Sequence, residues 1–155
     1  MESLRSSADF KELLSSLNAE SVSYLIIGGF ALAHYGRPRY TKDLDLWVDP
    51  AGDNPERVVR ALARFGASIE GVGADDFRDA DCVFQIGVEP LRVDVLCDIS
   101  GVTFAEAWPR RVAATYADVP VFVISTEDLI ANKRASGRPS DMRDVEALLE
   151  DGAEA

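Results

Sequence analysis

Four residues constrain this chain more than any others: Asp43-Leu44-Asp45-Leu46. On an extended strand, residues two apart share a face. The leucines then enter a core while both carboxylates emerge on the opposite side. Two unit charges about 4 Å apart repel by ~1 kcal/mol in water and ~4 kcal/mol at an effective dielectric near 20. A divalent cation removes that cost, and paired carboxylates suit Mg2+, an ion that takes oxygen ligands. A solvated edge strand of alternating polarity is the plainer reading of the same four residues.

What precedes the acids sharpens the choice. Tyr24-Leu25-Ile26-Ile27 reads as a buried strand, and Gly28-Gly29 breaks it. A small-residue helix over 30–35 and a basic, turn-rich loop over 36–42 lead to Asp43. Glycine lets backbone approach a ligand closely, and the amides at a helix start favour phosphate. Alone, Gly-Gly is an ordinary strand-to-helix turn. Followed by the acid pair, it has the layout of an enzyme that handles a nucleoside triphosphate.

A Gly-Gly after a strand, then a helix and loop, then acid–apolar–acid–apolar resembles the polymerase-beta-like nucleotidyltransferase superfamily. The closer match, through Gly28, Gly29, Ala31, Gly36, Arg39, Thr41, Asp43 and Asp45, is similar to its small bacterial members. Those are related to the toxin halves of abortive-infection (AbiEii-type) toxin–antitoxin pairs. The resemblance implies the α/β nucleotidyltransferase fold, a small mixed sheet with flanking helices. It implies two Mg2+ ions and transfer of a nucleoside monophosphate from a triphosphate to an acceptor hydroxyl, with pyrophosphate released. It also implies a third acid on a later strand. Asp94, the acid inside the apolar run Leu91–Leu96, takes that place; the alternative is a buried acid paired with Arg92.

Asp43, Asp45 and Asp94 are thus the expected catalytic and metal-binding residues. Gly28, Gly29, Arg39 and Thr41 are expected at the nucleotide, although Arg39 and Thr41 could simply order their loop. Near the C-terminus, Lys133, Arg138, Asp141 and Asp144 resemble the C-terminal motif of the same transferases. That implies Lys133 beside the triphosphate and Asp141 near the site. From periodicity alone, Lys133 lies on the apolar face of its helix, where it must snorkel out or meet an anion. Asp141 could equally stabilise a helix's first turn.

The chain's 155 residues make one domain's worth, 1–155, with an N-terminal helix within 1–18 and a helical pair over 125–150. Its net charge of −11 gives no bulk attraction to nucleic acid or anionic membrane. That leaves as acceptor a small molecule, a protein, or RNA held by a local basic rim. Such a rim could gather Arg37, Arg39, Lys42, Arg110, Arg111, Lys133, Arg134, Arg138 and Arg143. Two cysteines and one histidine are too few for a structural zinc site. Cys82 and Cys97 read as free buried thiols, and His34, Trp47 and Trp108 as structural. No apolar leader and no membrane-length run is visible, so the expected location is the cytoplasm. The rival to an enzyme is a catalytically silent module that binds a nucleotide or the partner in a toxin–antitoxin pair.

Further elements follow from periodicity and breakers. A first helix covers 4–17. Asn54 caps a second helix, which Gly66 stops. Residues 71–81 form a surface loop. Strands over 82–86 and 91–96 make a hairpin. A short helix over 103–111 is capped by Thr103. An edge strand over 119–124 carries Pro120. Ser125 opens a helix that ends at Gly137. Ser140 caps the last helix, with Met142, Val145, Leu148 and Leu149 facing inward and residues 151–155 frayed.

Overall fold

The computed structural model describes residues 7–36, 43–87 and 91–154. Six strands among them form one mixed sheet: β1 (Tyr24–Ile27), β2 (Asp43–Val48), β3 (Val83–Ile86), β4 (Arg92–Leu96), β5 (Val112–Tyr116) and β6 (Val119–Val123). Their spatial order is β3-β4-β2-β1-β6-β5. The β2–β4 and β1–β6 pairs are parallel, and the other neighbours are antiparallel. Around the sheet lie α1 (Ser7–Ala19), α2 (Gly28–His34), α3 (Asn54–Phe65), α4 (Phe104–Ala107), α5 (Thr126–Ser136) and α6 (Pro139–Glu154). This is the mixed sheet with flanking helices that the sequence implies.

Burial explains the strand patterns. All four residues of β1 are buried, which is why its run is continuously apolar. In β2 the leucines are fully buried while Asp43 and Asp45 stay half-exposed. The face that carries the acids becomes dry further along: Trp47 is fully buried, and Phe104 meets it edge-on with centroids 5.1 Å apart. Phe10, Leu13, Leu14 and Leu17 bury one stripe of α1, and this helix packs on α3. Gly66 closes α3 in the left-handed region at φ +97°, a conformation that costs most side chains about 1–2 kcal/mol. Cys97 is buried, whereas Cys82 is only half-buried.

Several local expectations change. Asn54 does not cap α3; the cap position falls on Asp53. Instead, the buried Asn54 accepts from the Ser23 amide (2.8 Å) and donates to the carbonyls of Ser23 (3.1 Å) and Asp49 (2.8 Å). Residues 71–81 hold a 3-10 turn, Ala74–Arg78, whose Phe77 is buried. Thr103 does cap α4, and its hydroxyl accepts from the Glu106 amide at 3.2 Å. β6 is an interior strand, hydrogen-bonded to β5 along its length. It tolerates Pro120 because its pairing with β1 lies at the far end, at Val123. Ser125 accepts from the Asp128 amide at 3.1 Å, as expected of a helix start. The last helix begins one residue before Ser140 and continues through Glu154. Its Val145 and Leu148 are buried, but Met142 and Leu149 are exposed, because they fall on the flank away from α5. No helix among the described residues is long and apolar enough to cross a membrane.

Candidate active site

The site is built where three strands meet. Antiparallel pairing of β1 with β2 sets Ile27 opposite Asp45. Parallel pairing of β2 with β4 sets Asp43 opposite Arg92 and Asp45 opposite Asp94. The side chains of Asp43, Asp45, Arg92 and Asp94 therefore share one patch of the sheet, by strand alternation and register alone. Asp43 and Asp94 keep 31% and 18% of their side chains exposed, open enough for a ligand to reach them.

The glycine pair opens α2 instead of preceding it. Ile27, the residue before the helix, offers no side-chain cap to its first amides. Gly28 holds φ +70°, and a Cβ there would collide with the Asp45 carboxylate. Glycine is needed at this point for both conformation and space. Phe30, at the start of the small-residue stretch, packs edge-on to Phe10 and Tyr116.

Electrostatics mark Asp45 as the centre. Its carboxyl is pushed up to about 6, first by burial and then by the charges of Asp94 and Asp43. Arg92 and Lys133 pull the other way without cancelling the rise. The influence of Lys133 shows that α5 reaches this patch. The guanidinium of Arg92 lies between the outer acids: Nη2 is 3.2 Å from Asp43 Oδ2 and 3.2 Å from Asp94 Oδ2, and Nε is 3.2 Å from Asp94 Oδ1.

The donor set is all carboxylate oxygen, held against a glycine turn, with the charges of Asp94 and Asp43 raising the Asp45 carboxyl. Both features fit a hard divalent cation. Among the described residues, no three Asp, Glu, His or Cys side chains are already drawn into a metal cage. Arg92 stands among the carboxylates in this arrangement.

The C-terminal motif gathers behind the patch. Lys133 is buried, and its Nζ lies 3.0 Å from Asp144 Oδ2 and 3.4 Å from Asp141 Oδ1. It meets anions of its own chain and does not snorkel. Arg138 Nε donates to Asp141 Oδ2 at 2.7 Å. Burial alone would raise the Asp141 carboxyl, but the Arg138 hydrogen bond and the Lys133 charge outweigh it and leave it below its ordinary value. Arg39 and Thr41, with Arg37 and Lys42, lie outside the described residues.

A recess of about 340 Å³ joins the two groups; Gly28, Asp45, Asp98, Ser100, Asn132 and Lys133 are among the residues that line it. Asp98, Ser100 and Asn132 escaped sequence reasoning. The segment of Asp98 and Ser100 is bolted to α5, which carries Asn132: Asn132 Nδ2 donates to the Ser100 carbonyl at 3.0 Å, and a Cβ on Gly101, at φ +90°, would strike the Ala131 carbonyl. Gly101 was the available signal, a glycine just past an acid-bearing strand. Among the described residues of the expected basic rim, Arg110 and Arg111 are taken up by their own neighbours. Arg110 is bound bidentately by buried Asp128, at 2.7 and 3.0 Å, and Arg111 lies over Trp108, 4.0 Å from its centroid. Trp108 stacks on Phe104 at 5.5 Å, so both tryptophans are packing residues. His34 is exposed and meets only the edge of Tyr35 among described rings.

Solved structures share this fold at low sequence identity. The lincosamide antibiotic adenylyltransferase LnuA, with lincomycin bound, superposes with a TM-score of 0.58 at 15% identity, covering 92% of this chain and 96% of that one. The antibiotic-resistance factor ANT(2'')-Ia in solution gives 0.59 at 17% identity, over 95% of this chain and 82% of that one. Its complex with adenylyl-2''-tobramycin gives 0.58 at 16% identity, over 90% and 84%. Comparison with curated proteins finds no match. The sequence matches, over residues 4–149, the family described as "Nucleotidyltransferase of unknown function (DUF6036)". The chain belongs to that family and is an enzyme of the nucleotidyltransferase class.

Proposed function

We propose that this enzyme moves a nucleoside monophosphate, with ATP as donor, to a hydroxyl of a small polar or cationic acceptor. Asp43, Asp45 and Asp94 would hold Mg2+, two ions in all. The observation that carries the proposal is the register that sets Asp45 across from Asp94 and against the Gly28 turn. Bound metal would supply charge neutralisation for the phosphates and a lowered pKa for the attacking hydroxyl. The first amides of α2, at Gly28 and Gly29, would receive the terminal phosphates. Lys133 and Asp141, at the back of the recess, would orient the nucleotide, with Arg39 and Thr41 completing its enclosure. The acceptor oxygen attacks the α-phosphorus, the bond to the β-phosphate oxygen breaks, and pyrophosphate leaves. Asp94 would accept the hydroxyl proton.

Charge favours the small acceptor over an RNA end. The chain carries −11, and two cations of the expected basic rim, Lys133 and Arg138, are engaged by Asp141. Two of the similar folds belong to proteins named for modifying antibiotics, which agrees with a small molecule that presents hydroxyls and amines. The motif from Lys133 to Asp144 supports kinship with AbiEii-type toxin transferases, in which case a cognate antitoxin would bind this domain. A reaction that draws on the cellular nucleotide pool would run in the cytoplasm.

The test incubates the full chain with Mg2+, each α-labelled triphosphate and a cell extract divided into RNA, protein and small-molecule fractions. Label should move from ATP to the small-molecule fraction, with stoichiometric pyrophosphate, and Asp45→Asn and Asp94→Asn should abolish it. Label in RNA or protein would overturn the acceptor assignment. Transfer that survives both substitutions or excess chelator would overturn the metal site.

A further inference from the structure

We propose that Arg92 is a resident counter-ion that makes metal binding conditional on the triphosphate. The inference rests on the metal site proposed above. Parallel pairing sets Arg92 directly across from Asp43 and two residues before Asp94. Its guanidinium reaches both, with Nη2 shared between Asp43 Oδ2 and Asp94 Oδ2 at 3.2 Å each. Nε also lies 3.2 Å from Asp94 Oδ1, so a second nitrogen adds charge attraction to the hydrogen bond that Nη2 makes with Asp94. The planar cation thus fills the space between two expected ligands. Asp45 gains only its distant field, which leaves that carboxyl raised.

A bare divalent cation entering here must break the Nη2 contacts to both acids and leave an arginine without its anions. A metal–triphosphate complex must break them too, but phosphate oxygens match the guanidinium's fork of N–H donors two at a time. With 30% of its side chain exposed and a long aliphatic stem, Arg92 has room to turn from the carboxylates toward a ligand in the recess. Exchange of partners links the two binding events. By reciprocity, nucleotide tightens metal binding by the same factor that metal tightens nucleotide binding. The site then gathers metal only when there is a substrate to act on. Arg92 is a positioning residue in this scheme: it moves between carboxylates and phosphates and takes no part in bond making.

The test measures free Mn2+ by electron paramagnetic resonance. The full chain is titrated with Mn2+, with and without a non-hydrolysable α,β-methylene nucleoside triphosphate. Wild type should bind Mn2+ weakly alone and at least about tenfold tighter with the analogue, within the usual range of coupling between sites. Arg92→Gln should bind Mn2+ alone about five- to tenfold tighter than wild type and lose most of the nucleotide effect. Arg92→Lys keeps the charge but not the fork, so it should fall between the two; it carries the comparison if the glutamine variant does not fold by circular dichroism. Arg92 variants that bind bare Mn2+ no tighter than wild type, or keep the full nucleotide effect, would overturn the inference while leaving the metal site standing. Absence of Mn2+ binding in wild type even with the analogue would overturn the metal site, and this inference with it.

Discussion

Gly28→Ala is expected to damage this protein in two separable ways. The first is conformational: residue 28 holds φ +70°, where an L side chain costs about 1–2 kcal/mol. The second is steric, because the new methyl group meets the Asp45 carboxylate; forcing an extra carbon into a filled space costs about 1–3 kcal/mol. Together they predict a loss of about 2–5 kcal/mol, or a fall in Tm of about 4–20 °C for a domain of this size. Gly52→Ala separates the terms, since Gly52 has φ +61° with no described atom within 4 Å of such a methyl. It should lose only the conformational part and keep full activity. Thermal melts followed by circular dichroism give the stabilities, and pyrophosphate release gives the activity. Because displacement of a reacting group by about 1 Å can cost 100-fold, Gly28→Ala should be about 100-fold slower at a temperature where it remains folded. Equal destabilisation in the two variants, with Gly28→Ala fully active, would refute the claim that the turn is shaped around Asp45.

Asp45→Asn should change the pH dependence of stability. The folded carboxyl sits at about 6, above its ordinary 3.8, so between those values the native state holds a proton that the unfolded chain has released. Metal-free wild type should therefore lose stability as pH rises from about 4 to 6, and urea midpoints for Asp45→Asn should lack that part of the decline. Lys133→Met removes the common partner of Asp141 and Asp144. With Arg138 still holding Asp141, the cost should be about 2–4 kcal/mol in chemical denaturation, near the lower part of the range for broken buried pairs. Asp128→Ala takes the bidentate partner from Arg110, leaving it only the 3.8 Å contact with Glu127, and strips the Ser125 cap region of its carboxylate; its urea midpoint should fall by an amount equivalent to about 2–4 kcal/mol, while substrate KM stays unchanged.

The acids and the glycine turn were legible because strand alternation and backbone sterics are local and strict. Asp43 and Asp45 declare their shared face within four residues, and register with Asp94 needs only the parallel β2–β4 pair. Other features were written in contacts between distant segments. β5 escaped detection because its edge position leaves Ala113 and Thr115 exposed and its small residues carry little periodic contrast. Pro120 pointed to an edge strand, yet β6 lies inside the sheet between β1 and β5, with its β1 pairing away from the proline at Val123. Met142 and Leu149 fit the helical period but project where α5 no longer covers them. Asp98 and Ser100 meet Asn132 of α5 in the recess because Gly101 lets their loop fold down on that helix. Sequence spacing offers no measure of that approach. Arg92 was visible as a neighbour of Asp94, but its reach to Asp43 depends on strand pairing.

The carboxamide of Asn54 ties the start of β1 to the end of β2, at the margin of the sheet opposite the acids. Three residue pairs separate that knot from the point where Ile27 faces Asp45. Slippage by one residue would send both carboxylates into the core and both leucines into water. The alignment on which the chemistry depends is therefore guarded from a distance, and a substitution at Asn54 could silence the enzyme without touching any group that meets a substrate.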